Sequence, residues 1–156
     1  MKPLKLSSPT DTTIEIIRSF DAPRHLVWRA HTEPDLVKRW LTGPPGHTMP
    51  ECDIDLRVGG AYRYVWEWSE GRMSASGVYR DIEDNRRLVC TEAFDFAPDS
   101  KTLVEQTFTE HEGRTTVAVR LTYDSKATRD AALQTPMDEG LEASYTSLDA
   151  LLTEMA

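Results

Sequence analysis

The middle of the chain is dominated by an alternation of apolar and polar side chains at every second position. Between residue 50 and about residue 123, this pattern predicts six β-strands. In one of them, Tyr62, Tyr64, Trp66 and Trp68 share one face, and the intervening side chains share the other. So large an aromatic face needs a second apolar surface to cover it.

The C-terminal part of the chain supplies that surface. From Met137 to Met155, apolar side chains recur at helical spacing, which predicts one long amphipathic helix over residues 136–154. Thr135 is the predicted N-cap and Pro136 the first helical residue. Residues 126–133 are predicted to form a short helix before it.

One strand and two short helices precede the alternating region. The strand is predicted over residues 12–20, the first helix after Pro23, and the second with Thr32 as its N-cap. Residues 1–11 lack periodicity and are predicted to be a flexible arm, so one domain spans residues 12–156. The order predicts an α+β fold with a seven-stranded, curved antiparallel sheet around a long C-terminal helix.

Turn signals set the expected pairing of the strands. Residues 69–72 and 83–86 are predicted turns, and Glu112-Gly113 is a strong two-residue hairpin signal. The expected pairs are Trp66 with Ala75, Tyr64 with Gly77, Tyr62 with Tyr79, Tyr79 with Cys90, Gly77 with Glu92, Phe108 with Val117, Gln106 with Val119 and Val104 with Leu121.

Several motifs, taken together and in order, resemble one known family. They are Phe20-Asp21-Ala22-Pro23, Val27-Trp28, Arg39-Trp40, Gly43-Pro44-Pro45-Gly46, residues 55–60, Gly77-Val78-Tyr79 and residues 140–148. This set is similar to the family named for activators of heat-shock protein 90 ATPase, within the START-related (SRPBCC), helix-grip superfamily. The resemblance covers residues 12–154. Leu141 stands where many members resembling this chain carry a tryptophan.

The resemblance implies a helix-grip fold with a cavity between the sheet and the long helix. Across the superfamily such cavities are used for lipids, polyketides, hormones and other apolar molecules. Thirteen side chains are predicted to line it: Trp28, Trp40, Tyr62, Tyr64, Trp66, Tyr79, Glu92, Phe94, Gln106, Phe108, Met137, Leu141 and Tyr145. The alternative is a filled core, because large rings are seldom left unpacked. Trp68 and Met73, near a hairpin tip, are candidates for an entrance.

Two polar residues, Glu92 and Gln106, fall on this otherwise apolar face. An ionised carboxylate among aromatic rings is costly, so Glu92 is expected to be hydrogen-bonded, protonated or hydrated, with Tyr64 and Tyr79 as neighbours. Glu92 can then orient the polar end of a ligand, or Glu92 or Tyr64 can move a proton as a catalytic residue. The other interpretation is a slipped register that leaves Glu92 on the solvent side.

Composition excludes several other classes of function. The formal net charge is −8 with acidic residues spread along the chain, which argues against nucleic-acid binding. The N-terminus lacks a signal-like apolar segment and no run is long enough to cross a bilayer, so a cytoplasmic protein without membrane insertion is predicted. Cys52 and Cys90 are expected to be reduced thiols. Neither a metal-ligand cluster nor a cofactor motif is present, so no metal and no cofactor are predicted.

Three functions remain open on these grounds. The first is binding of a small apolar or amphipathic molecule in the cavity. The second is a cyclase, aromatase or hydrolase that uses the same cavity. The third is a module that interacts with a chaperone through exposed charges such as Arg57 and Arg63. A homodimer is compatible with the sequence, although no surface stripe predicts one.

Overall fold

Eight strands and four helices make up the part of the chain that the computed structural model describes, residues 3–156. Residues 1 and 2, the start of the predicted arm, lie outside the described residues. The elements are β1 (Lys5–Ser7), β2 (Thr13–Phe20), α1 (Arg24–Thr32), α2 (Pro34–Trp40), β3 (Thr48–Ile54), β4 (Ala61–Trp68), β5 (Gly71–Glu83), β6 (Arg87–Phe94), β7 (Thr102–His111), β8 (Arg114–Thr122), α3 (Lys126–Leu133) and α4 (Met137–Met155).

The strands form one curved antiparallel sheet in the order β1-β2-β8-β7-β6-β5-β4-β3. The six strands from β3 to β8 follow one another, and β2 pairs with β8. The helix α4 lies over the inner face of the sheet, where Leu148 and Leu151 join the core with Ile14, Ile16 and Phe20. The predicted α+β helix-grip fold is therefore confirmed.

The sheet has one strand more than the seven predicted. Lys5–Ser7, inside the predicted flexible arm, pairs with β2 and sets Leu6 opposite Ile16, while Leu4 is buried in the core. This pairing covers the middle of the outer edge of β2, whose backbone groups would otherwise stay open there. A three-residue strand is too short to show an alternation, which is why the sequence pattern missed it.

The pairing of β4 with β5 differs from the prediction by two residues. The turn contains only Ser69 and Glu70, because Trp68 pairs with Gly71. The observed partners are Trp66 with Met73, Tyr64 with Ala75 and Tyr62 with Gly77. Since a shift of two preserves which face each side chain occupies, the inner face was still identified. The predicted pairing of Tyr79 with Cys90 and all three predicted pairs of β7 with β8 are confirmed.

Two predicted helix caps are wrong. The N-caps of α2 and α4 are Glu33 and Pro136, neither of which makes a side-chain cap bond. The hydroxyl of Thr32 instead donates to the Trp28 carbonyl, and that of Thr135 donates to the Ala132 carbonyl. Each threonine therefore closes the preceding helical turn, since a hydroxyl can bond the carbonyl three or four residues earlier.

No helix in the described part of the chain combines the length and the apolar character that crossing a membrane requires.

Candidate functional site

A cavity of about 380 Å³ lies between the inner face of the sheet and the N-terminal half of α4. The C-terminal half of the same helix is packed into the core, where Leu148, Leu151 and Leu152 are almost fully buried. The loop between α2 and β3, residues 41–47, adds a further wall. The C-terminal half of α4 therefore packs into the core, and its N-terminal half covers the cavity.

Nine of the thirteen predicted side chains line this cavity. Five are aromatic and come from α2, the sheet and α4: Trp40, Tyr64, Trp66, Phe94 and Tyr145. The other four are Glu92, Gln106, Met137 and Leu141. The structure therefore brings together residues that lie as far apart in sequence as α2 and α4.

The remaining four predicted side chains lie outside the cavity, in packed positions. Trp28 and Phe108 meet edge to face with their ring centroids 5.2 Å apart. The Tyr62 hydroxyl donates to the Thr91 carbonyl at 2.7 Å, and its ring centroid lies 5.4 Å from that of Tyr79. All four side chains are buried among other residues, as is typical of a core.

The wall formed by the tryptophans is fixed by hydrogen bonds. The indole Nε1 of Trp40 donates to the Ala30 carbonyl at 2.8 Å, and that of Trp66 donates to the Leu41 carbonyl at 2.8 Å. Trp40 also stacks on Tyr145 at 5.8 Å between centroids. Because both polar N–H groups are satisfied inside the protein, the rings present apolar surface to the cavity.

Glu92 lies on the cavity side of β6, which rules out the slipped register. None of the described residues hydrogen-bonds or ion-pairs with its carboxyl group, so of the three expected states the hydrogen-bonded one is not formed within the described residues, while Tyr64 is an electrostatic neighbour. Burial raises the pKa of Glu92 from 4.5 to about 7. The group is thus an unpartnered carboxyl that changes charge near neutral pH.

His31 on α1 is a lining residue that the sequence did not reveal. Its Nδ1 donates to the Val27 carbonyl at 2.8 Å, and its Nε2 is buried without a partner in the described residues. Burial lowers the pKa of His31 from 6.5 to about 4, so the ring is neutral. The ring packs on Trp40 at 4.8 Å between centroids. A histidine in a short helix gives no periodic signal that distinguishes this position from an exposed one.

The loop of residues 41–47 was also missed as part of the site, because loops carry no periodicity. The Gly43 N–H donates to the Ser144 hydroxyl at 2.9 Å and so ties the loop to α4. His47 lines the cavity and stacks on Trp68 at 4.9 Å, and Met73 lines it as well. Of the predicted entrance pair, Met73 therefore reaches the cavity directly and Trp68 contacts it through His47.

Metal and thiol chemistry have little support within residues 3–156. No three histidine, cysteine, aspartate or glutamate side chains there are close enough to hold a metal ion. Cys52 and Cys90 are free, and burial raises the pKa of the two thiols to about 11 and about 12. Thiols with raised pKa values are poor nucleophiles near neutral pH.

Solved structures of similar shape come from several bacteria. A protein from Rhodobacter sphaeroides is 29% identical with a TM-score of 0.89, over 98% of this chain and 99% of that chain. Protein Ms6760 from Mycobacterium smegmatis is 26% identical with a TM-score of 0.85, over 96% of this chain and 97% of that chain. CalU16 from Micromonospora echinospora is 24% identical with a TM-score of 0.63, covers 97% of this chain and 85% of that chain, and shows likeness of fold alone.

Among curated proteins, none is significantly similar to the chain. A family model does match, over residues 21–153, which include α1, α2, α3, all but the last two residues of α4 and every strand from β3 to β8. The match extends over most of the chain and contains both walls of the cavity. The protein belongs to the family described as activator of Hsp90 ATPase homolog 1-like protein.

Proposed function

We propose that this protein binds a small apolar or amphipathic molecule in the cavity between the sheet and α4. The observation that supports this best is a space of about 380 Å³ with an aromatic and aliphatic wall and few polar groups. Ligand pockets typically measure roughly 300–1,000 Å³ and have this composition. A residue set selected only to fill a core would leave no such space, because interiors pack to crystal density.

The rigidity of the wall adds to the argument. Trp40 and Trp66 are held by hydrogen bonds to backbone carbonyls, so little ordering remains to be done when a ligand enters. Burying about 200 Å² of apolar ligand surface contributes about 5 kcal/mol at roughly 25 cal/mol per Å². Part of that free energy is offset by the loss of ligand motion, so polar contacts decide affinity and specificity.

The test is native mass spectrometry of gently purified protein, followed by a denaturing run on the same sample. A reproducible extra mass that disappears on denaturation is expected. The Leu141→Trp variant replaces an aliphatic side chain of the cavity wall by a larger, aromatic one and should lose the extra mass. The control Leu56→Trp makes the same change at an exposed position and should keep the extra mass. A bare protein that also leaves its tryptophan fluorescence unchanged with a broad panel of lipids and aromatic polyketides would contradict the proposal.

A second candidate is catalysis in the same cavity, with Glu92 as general acid or base. It is supported by an unpartnered carboxyl whose pKa of about 7 suits proton transfer near neutral pH. Under this proposal Glu92→Gln abolishes turnover of a bound substrate while the fold and the binding of apolar molecules persist. Retained turnover in a folded Glu92→Gln protein would exclude the role.

A third candidate follows from the family description, which names activation of a chaperone ATPase. It places the interaction on exposed basic residues of the outer surface, where Arg57 pairs with Asp55 at 2.9 Å and Arg63 lies 3.9 Å from Glu51. Stimulated ATPase activity should then fall in an Arg57→Ala/Arg63→Ala protein and persist in Leu141→Trp. The opposite pattern would assign the activity to the cavity. A cytoplasmic location is part of each proposal.

A further inference from the structure

The charge of the cavity lining is carried by a single side chain. Glu92 is the only aspartate, glutamate, lysine or arginine among the residues that line it. His31 contributes no charge, because its pKa of about 4 keeps the ring neutral. No described cation hydrogen-bonds or ion-pairs with Glu92. The space is therefore biased toward negative potential wherever this carboxyl group is ionised.

The other titratable groups around Glu92 cannot neutralise it. Tyr62, Tyr64, Cys90 and Tyr123 interact with it electrostatically, and burial raises the pKa of each. All four are neutral over the whole range from pH 5 to pH 9, and none of them becomes a cation. Two further titratable residues belong to the lining: His47, which packs on Trp68 at 4.9 Å, and Tyr145, which stays neutral because burial raises its pKa.

Aromatic rings flank the carboxyl group along the same face of the sheet. Phe94 lies two residues after Glu92 on β6, so the two side chains share a face. Phe94 pairs with Ala75, which in turn pairs with Tyr64, and the Tyr64 ring meets that of Trp66 at 5.9 Å between centroids. A carboxylate that shares a sheet face with several aromatic rings is an arrangement that attracts an organic cation.

We infer, on the basis of the proposed function, that the ligand is an amphipathic amine whose ammonium group pairs with Glu92 and whose apolar body lies along the aromatic wall. A buried ion pair of this kind removes the cost of leaving Glu92 ionised and unpartnered. A carboxylate or phosphate ligand of equal length is repelled by ionised Glu92 and has no cation to pair with, because no lysine or arginine lines the cavity. The lining thus selects by charge as well as by size.

The test compares three probes with the same chain length, octylamine, octanol and octanoate, by isothermal titration calorimetry at pH 8. Octylamine is expected to bind at least tenfold more tightly than octanol, and octanoate more weakly than either. In Glu92→Gln, octylamine should lose at least tenfold in affinity, octanol should change little, and octanoate should improve. The control is Glu70→Gln, which removes the same charge from an exposed turn outside the cavity and should behave as the unaltered protein.

The pH dependence of binding gives a second readout. Ionised Glu92 strengthens amine binding, so the affinity of the amine should fall by at least about tenfold between pH 8 and pH 5, toward its affinity for Glu92→Gln, while that of octanol stays constant. Glu92→Gln should flatten the amine profile. A slope that persists in this variant would place the titrating group elsewhere and overturn the assignment.

The outcomes separate this inference from the proposed function. Octanol binding without a preference for the amine, or a preference that survives Glu92→Gln, overturns the inference and leaves a ligand-binding cavity. A protein that binds none of the three probes, with either residue at position 92, contradicts both the inference and the proposed function.

Discussion

The guanidinium group of Arg18 donates to both carboxylate oxygens of Asp149, at 2.9 and 2.8 Å, and so joins β2 to α4. It also donates to Glu142 at 3.2 Å and lies over the ring of Phe20, 4.8 Å from its centroid. Only 3% of the Arg18 side chain is exposed. Glu142 lies in the part of α4 that covers the cavity, and Asp149 lies in the part that packs into the core.

Replacing Arg18 by methionine should lower the free energy of unfolding by about 3 kcal/mol. The apolar volume is nearly kept, but Glu142, of which 13% is exposed, loses its cation and stays largely buried. Urea denaturation measures the effect. The double variant Arg18→Met/Glu142→Gln should regain part of the loss, because it removes the isolated charge. Equal stability of the two variants would show that packing, and not charge, holds the helix.

Gly77→Ala should destabilise the protein by at least about 2 kcal/mol. A Cβ atom there would lie 1.7 Å from the Thr91 carbonyl oxygen, so the backbones of β5 and β6 would have to separate. The matched control is Gly140→Ala in α4, whose Cβ would meet nothing closer than Pro44 Cδ at 3.9 Å. That change should stabilise the helix by about 0.5–1 kcal/mol. Melting temperatures that shift in the same direction for both variants would contradict the close approach of β5 to β6.

Glu92→Gln should be more stable than the unaltered protein at pH 8. The pKa of Glu92 is raised in the folded state, so the folded protein retains a proton that the unfolded chain loses as the pH rises from 4.5 to about 7. The resulting loss of stability is of the order of 3 kcal/mol and is absent from the variant. Urea denaturation measures the free energy of unfolding of both proteins at pH 5 and pH 8. The advantage of Glu92→Gln over the unaltered protein should be present at pH 8 and should shrink toward pH 5. An unchanged difference would mean that the carboxyl group is not desolvated.

His31 should destabilise the protein at low pH, whereas Glu92 does so at high pH. Its pKa is lowered in the folded state, so the unfolded chain takes up a proton first as the pH falls from 6.5 to about 4. About 3 kcal/mol of stability should be lost over this range and should be missing from the His31→Gln profile. His25→Gln, an exposed position on the same helix, is the matched control. NMR titration of the imidazole gives a direct check, and a pKa near 6.5 for His31 would refute the prediction.

The long elements were predictable because their periodicity extends over many residues. The last helix was predicted over residues 136–154 and forms at Met137–Met155. The hairpin at Glu112-Gly113 was also recognised, because glycine readily adopts the positive φ that a two-residue turn requires, and both residues of the turn do have a positive φ. The turn at Ser69 and Glu70 contains no glycine, so it carries no comparable signal and its length was overestimated.

The candidate site was only partly predictable. Alternation shows which face of a strand a side chain occupies, but it does not show whether that side chain lines a cavity or is packed against its neighbours. Tyr62 and Tyr79 lie on the predicted face, yet neighbouring rings fill the space around them. Phe108 is covered by Trp28 and His31 of α1, a contact between elements distant in sequence. Which of the lining side chains touch a ligand stays a prediction.

The pairing of β2 with β8 has a consequence for synthesis of the protein. Ile14 lies opposite Leu121, so a strand made at the beginning waits for a partner made about a hundred residues later. Until β8 and α4 have left the ribosome, the apolar face of β2 is uncovered and the cavity has no second wall. An apolar strand therefore stays exposed during most of the synthesis of the domain, and a ligand can be enclosed only after α4 has docked on the sheet.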